Sequence, residues 1–191
     1  MKKTIYLYYS VIGIFLLLNG CKPNKDIAQK TPKGETEVII PCSGSQYFSS
    51  TEAFRANSIG ESLDQVISKK KALTNARAQL AESISTTVKT VTDNYVNSRE
   101  SNNREAASER FESLNREIVN QQLSGIKVIC ERQTQTQEGR YKTYVALELS
   151  ANDLINSYNS RLTQDEQLKV DYDYEKFKKV FEEQMKQMSD Q

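Results

Sequence analysis

The sequence predicts an α+β domain: a small antiparallel sheet of about four strands packed against a long helical hairpin, with further helices at the C-terminal end. Three observations predict it. Apolar residues recur at three- and four-residue steps from Leu73 to Tyr95, and again from Phe111 to Leu123, the spacing of one helix face. Between those stretches lies a polar run with nothing more apolar than alanine. Two alternating runs, Ile126–Cys130 and Tyr141–Leu149, then flank a glycine-containing turn, which is the pattern of a β-hairpin.

The first twenty residues differ from the rest. Lys2 and Lys3 precede an uncharged run from Ile5 to Leu18, about 14 residues, short of the roughly 20 that a membrane-spanning helix needs. A cleaved signal peptide over 1–20 is the expectation. The run ends in Leu18-Asn19-Gly20-Cys21, which resembles the lipobox of bacterial lipoprotein precursors. That resemblance implies a diacylglycerol thioether and an acylated amino group on Cys21. Each buried methylene contributes about 0.8 kcal/mol, so two or three chains on one residue anchor a protein stably. Residues 21–35, with two prolines, a glycine and several lysines, read as a lipidated tether that buries too little apolar surface to fold. The domain itself is expected over 36–191.

Within it, Thr36–Ile40 reads as a strand stopped by Pro41, and Ala53–Ile59 as a second strand. Ser62-Leu63-Asp64-Gln65 has capping-box form and opens the long helix. Leu73, Ala76, Leu80, Ile84, Val88, Val91 and Tyr95 form its buried stripe. About 50 Å long at 1.5 Å per residue, this helix exceeds the diameter of a small domain, so it must bend, break or project. Residues 97–110 are expected to form an exposed hairpin tip. Phe111, Leu114, Ile118 and Val119 carry the returning helix, with Gly125 as a left-handed cap. Ser150-Ala151-Asn152-Asp153 and Thr163-Gln164-Asp165-Glu166 both have the form of helix starts. Tyr174, Phe177, Val180, Phe181, Met185 and Met188 give the last helix an apolar stripe, read as core packing rather than a partner groove.

Cys42 and Cys130 are an exported pair, each on or beside a predicted strand. If the two strands are neighbours they form a disulfide; otherwise they are two small buried thiols.

The chain has no histidine, so it lacks the commonest general base and the most frequent nitrogen ligand of metals. Carboxylate neighbours such as Asp171 and Asp173, or Glu182 and Glu183, could serve acid–base or cation chemistry, but the first two flank a helix start, where the dipole favours acids. No phosphate-binding loop, dinucleotide fingerprint or cysteine knuckle occurs, and no metal or cofactor is expected beyond the lipid on Cys21. Without residues 1–20 the chain keeps 24 basic residues against 25 acidic ones, a charge of about −1. That balance argues against a nucleic-acid partner, and Lys69-Lys70-Lys71 is read as a solvated helix face.

In the order found, the run from Phe54 to Leu149 resembles the twenty-kilodalton bacterial lipoproteins, the Lpp-twenty family, which is itself similar to the N-terminal domain of a flagellar assembly protein. The resemblance is carried by Arg55-Ala56-Asn57-Ser58-Ile59-Gly60-Glu61-Ser62, by Ala72-Leu73-Thr74-Asn75-Ala76-Arg77-Ala78-Gln79-Leu80-Ala81, by Phe111-Glu112-Ser113-Leu114 and by Leu123-Ser124-Gly125-Ile126-Lys127-Val128. Asn57 departs from the family's alanine-glycine pattern. The resemblance implies an α+β domain in the cell envelope and no catalytic residue. The expected function is therefore that of a membrane-anchored envelope lipoprotein, with the outer membrane preferred because Lys22, not aspartate, follows Cys21. It would bind envelope proteins as a structural or accessory module without catalysis. The alternative is a periplasmic or surface small-ligand carrier or hydrolase built from carboxylates and tyrosines.

Overall fold

The structure, a computed structural model, describes residues 34–98, 104–166, 168–169 and 172–190. The chain divides into two units, Met1–Val38 and Ile39–Gln191. The second therefore begins three residues later than the sequence boundary at 36. It is α+β, as predicted, with three strands instead of about four.

Strand β1 spans Ala53–Ser62, helix α1 Gln65–Asn97, helix α2 Arg104–Gln122, strand β2 Lys127–Gln135 and strand β3 Tyr141–Ser150. Helices α3, Ala151–Gln164, and α4, Tyr174–Ser189, complete the chain. The sheet is antiparallel in the order β1-β3-β2, which puts the most apolar strand in the centre. Thr143, Val145, Leu147 and Leu149 of β3 are buried on one face beside Phe54, Ala56 and Gly60 of β1, as the alternation requires.

That face is covered by α1. Its buried row starts small and becomes large: Ser68, Ala72 and Ala76, then Leu80, Ile84, Val88, Val91 and Tyr95. Small side chains let the first half lie close on the sheet. The larger ones fill the space shared with α2 and α4. The 33-residue helix neither breaks nor needs to, because sheet and helices cover successive lengths of it. Leu73 is only partly buried, one step off the row. At the far end the Tyr95 ring makes edge contacts with Phe111, Tyr172 and Phe177, at centroid distances of 5.9, 6.3 and 5.3 Å. Its hydroxyl accepts the Asp173 backbone N–H at 2.8 Å, fixing the entry to α4. Phe177, Phe181 and Met185 are buried, so the α4 stripe is core packing, as read from the sequence.

Several local expectations are corrected. Thr36–Ile40 is not a strand: it pairs with nothing among the described residues, and Val38 and Ile39 are 78% and 86% exposed. On the free edge of β1 the Arg55 backbone is taken by Ser49, whose Oγ accepts from Arg55 N at 2.9 Å and donates to Arg55 O at 3.1 Å. The α1 cap is Asp64, whose carboxylate accepts Ile67 N–H at 2.9 Å, because β1 holds Ser62 in register with Tyr141. Of the exposed tip predicted over 97–110, residues 97, 98, 105, 106 and 108–110 are exposed, but α2 already begins at Arg104 and Ala107 packs on the core, while residues 99–103 lie outside the described residues. Gly125 does not adopt a left-handed conformation. The end of α2 tightens into a 3-10 turn at Leu123–Gly125, and Ser124 Oγ caps the Gln121 carbonyl at 2.7 Å.

Thr163 caps no helix: Thr163 and Gln164 are the last turn of α3, and the turn that follows opens at Asp165, whose side chain accepts Leu168 N–H at 3.0 Å and whose carbonyl accepts Lys169 N–H at 2.9 Å. Arg110 closes on the other Asp165 oxygen at 2.6 Å, tying α2 to this corner. The hairpin and the Ser150 cap stand as read. Gly139, at φ +81°, turns the chain, and Ser150 Oγ accepts Asp153 N–H at 3.3 Å.

Candidate functional site

Cys21, the one residue to which the sequence assigns a lipid, lies outside the described residues. The other predicted pair is brought together: Cys42 and Cys130 are joined as a disulfide across a sequence separation of 88, with Cα atoms 5.6 Å apart. A β-bulge makes this geometry. Val128 faces Leu147, but the next paired residue, Cys130, faces Ala146, so the insertion of Ile129 flips Cys130 to the opposite face. Val128 and Cys130 therefore do not share a face, contrary to their simple alternation in sequence.

On that outer face the segment from Cys42 to Ser50 forms a strap across all three strands. It begins at the bond to Cys130 on β2 and passes over β3, where Cys42 Sγ lies 3.7 Å from the Tyr144 carbonyl oxygen. It ends on β1, where Phe48 O accepts from Arg55 Nη1 at 3.1 Å and Ser49 pairs with the Arg55 backbone. Ala146, directly opposite Cys130, is fully buried although it faces away from α1. Cys42 itself has φ +59°, a left-handed conformation that costs a non-glycine residue about 1–2 kcal/mol. The crosslink holds it there.

The remaining sequence candidates are not assembled into a reacting centre. Asp171 lies outside the described residues, and Asp173 caps α4 by accepting Lys176 N–H at 3.1 Å. Glu182 and Glu183 lie on the exposed side of α4, with Glu182 3.8 Å from Lys178. Lys69 pairs with Glu131 at 2.8 Å, and Lys71 donates to the Glu61 carbonyl at 3.1 Å. Among the described residues no group of three metal-ligating side chains converges.

A groove of about 390 Å³ runs between α1 and α2, with Lys89, Asp93, Glu112 and Arg116 on its walls. Its floor is already satisfied: Tyr158 Oη donates to Asn115 Oδ1 at 2.9 Å, and Asn115 Nδ2 donates to Thr92 Oγ1 at 3.1 Å. Burial pushes the Tyr158 and Tyr172 hydroxyls well above the usual phenol range, so both stay protonated.

One charged cluster sits at the hairpin end of the sheet. Glu61 accepts a hydrogen bond from Arg140 and faces Lys142 at 3.8 Å. Hydrogen bonding from Arg140 holds the Glu61 carboxyl below its ordinary range, against a smaller opposing desolvation, with the charges of Arg140 and Lys142 adding to the lowering. A carboxylate with a depressed folded-state pKa stabilises above its unfolded value, and that contribution vanishes as pH falls through the folded one. Urea unfolding of Glu61→Gln and the parent should therefore differ at neutral pH and converge under acid. A difference that grew as pH fell would contradict this assignment.

The sequence did not single out one further surface. Gln65 Nε2 reaches Gln133 Oε1 at 2.7 Å and Lys69 reaches Glu131, both on β2; Lys71 reaches β1; Ser68 and Ala72 face the sheet between them. Positions 66, 67 and 70 of α1 must then point away from the sheet. They are Val66, Ile67 and Lys70, with Leu63 just before the Asp64 cap; Leu63, Val66 and Ile67 are 71%, 75% and 48% exposed. The closeness of these three aliphatics was visible in the sequence.

No protein-family model and no curated protein sequence matches the chain.

Proposed function

We propose that the protein is a lipid-anchored lipoprotein of the bacterial cell envelope, outer membrane preferred, whose domain serves as a structural or accessory protein-binding module rather than a catalyst. The observation that carries this reading is the order Lys2-Lys3, the uncharged run Ile5–Leu18, and Leu18-Asn19-Gly20-Cys21. One feature of the fold supports it: the Cys42–Cys130 crosslink suits an oxidising compartment. The likeness to the Lpp-twenty lipoproteins, read from four sequence segments, points the same way.

The test is detergent phase partitioning of protein expressed in a bacterial host, with labelled palmitate supplied. The parent should enter the detergent phase carrying label, while Cys21→Ser should appear uncleaved or aqueous and unlabelled. Equal label and partitioning in both would remove Cys21 as the anchor. Protease shaving of the same cells fixes the leaflet, and crosslinking in intact cells should capture a defined envelope protein.

A further inference from the structure

We propose that the start of α1, with Val66, Ile67 and Lys70 on its outward face and the exposed Leu63 just before its cap, rests on an anionic lipid surface, so that the domain lies against the membrane to which it is tethered. The proposal rests on the lipoprotein reading above, and it adds a second membrane contact to the one at Cys21.

The argument begins with charge. From Gln65 to Ala81, α1 carries Lys69, Lys70, Lys71 and Arg77 and no carboxylate, although the chain as a whole is nearly neutral. The first turn contains no acidic residue, which leaves the partial positive charge of the helix N-terminus offset only by the Asp64 cap. Geometry then sorts these groups. Lys69 is turned toward Glu131 and Lys71 toward the Glu61 carbonyl, whereas Lys70 lies on the outward face one helical turn beyond Val66 and Ile67. Val66 and Ile67, with Lys70 one turn on and the exposed Leu63 just before the cap, make a short basic amphipathic end that suits the headgroup boundary, apolar side chains below and ammonium among the phosphates. Scattered exposed aliphatics need no explanation, but three adjoining ones on a helix end do.

Reach is sufficient. Seventeen residues separate Cys21 from Ile39, so a lipid held on Cys21 keeps the start of the domain within at most about 65 Å of the surface, at 3.3–3.6 Å per residue. A second contact within that reach is effectively intramolecular and needs little affinity of its own.

The chain contains no tryptophan, so Leu63→Trp introduces a single reporter. The lipidated variant would be reconstituted into vesicles of phosphatidylethanolamine and phosphatidylglycerol, beside Glu109→Trp on the exposed side of α2. The expected result is a blue-shifted Leu63→Trp emission, quenched by brominated lipid and shielded from acrylamide. Glu109→Trp should stay accessible, and adding Val66→Asp and Lys70→Glu to Leu63→Trp should abolish the shift while the protein still floats with the vesicles. A floating protein whose Leu63→Trp reporter is as accessible as Glu109→Trp overturns the proposal and leaves the anchor intact. Failure to float overturns the anchor reading itself. A reporter equally shielded without vesicles overturns the proposal in favour of a protein contact at this face.

Discussion

Gly60→Ala should destabilise the domain by about 3 kcal/mol or more, lowering its thermal midpoint by roughly 6–12 °C. Gly60 sits where β1 passes beneath the first turns of α1. A Cβ built there would lie 2.2 Å from the Ser68 carbonyl oxygen, 2.5 Å from the Ala72 nitrogen and 3.0 Å from Lys71 Cβ. The two nearest atoms are backbone, so no rotamer change relieves the clash; strand and helix must separate. Separation also breaks a buried chain of hydrogen bonds, in which Ser68 Oγ donates to the Gly60 carbonyl at 2.9 Å and lies 2.8 Å from Thr143 Oγ1. Unpaired buried hydroxyls add about 1–3 kcal/mol of their own. Gly125→Ala is the control, because its Cβ meets nothing within 4 Å and its φ is not positive. Circular dichroism melts of the two variants decide the matter: a Gly60→Ala midpoint within two degrees of the parent would show that the close approach does not bear on stability.

The second large effect is expected from the crosslink. Replacing both Cys42 and Cys130 by serine should cost about 4–5 kcal/mol in the chain-entropy account, given the sequence separation of 88. One contribution opposes it. Once uncoupled, Cys42 can leave its left-handed conformation and recover about 1–2 kcal/mol, so a net loss of roughly 3 kcal/mol remains. The variant should also uncover Ala146, raising dye binding to exposed apolar surface. Urea denaturation of parent and double variant measures the loss. Thiol titration of a Cys21→Ser variant should find no reactive thiol before reduction and two after it. Two thiols in the unreduced protein would contradict the crosslink.

The sequence was most informative where period and partner agree. The α1 row from Ala76 to Tyr95, Thr143 to Leu149 of the β3 alternation, and Phe177, Phe181 and Met185 of the α4 stripe are buried as their spacing nominates, while Tyr141, Tyr174, Val180 and Met188 are partly buried at the margins. It was least informative where a local pattern had two outlets. Thr36–Ile40 has the composition of a strand, yet a strand needs a long-range partner as well as composition, and none pairs with it among the described residues. Ser62 and Asp64 can both cap a helix, and the register of β1 with Tyr141, a long-range fact, chooses Asp64. The bulge at Ile129 shows the same limit, since one extra residue reverses the face of Cys130 without any mark in composition. Of the candidate site, the identity of the disulfide pair was legible. The strap was not, because its contacts with Tyr144 and Arg55 join residues 102 and 6 positions apart through conformations that no periodicity encodes.

The strap also decides how the domain carries load. Tension entering from the N-terminal side reaches Cys42 first and passes through a covalent bond into β2, on the far side of the sheet from β1. Without that bond the same pull would run along the backbone to Ser49 and unzip β1 from β3 one hydrogen bond at a time. With it, Cys42 to Cys130 is a closed mechanical loop, and the residues between them, including β1, α1 and α2, are shielded from an extending force. The stress falls instead on β2 and on its pairing with β3. A protein held by one end and engaged elsewhere would thus stretch at its C-terminal part while the first half of the fold stays slack.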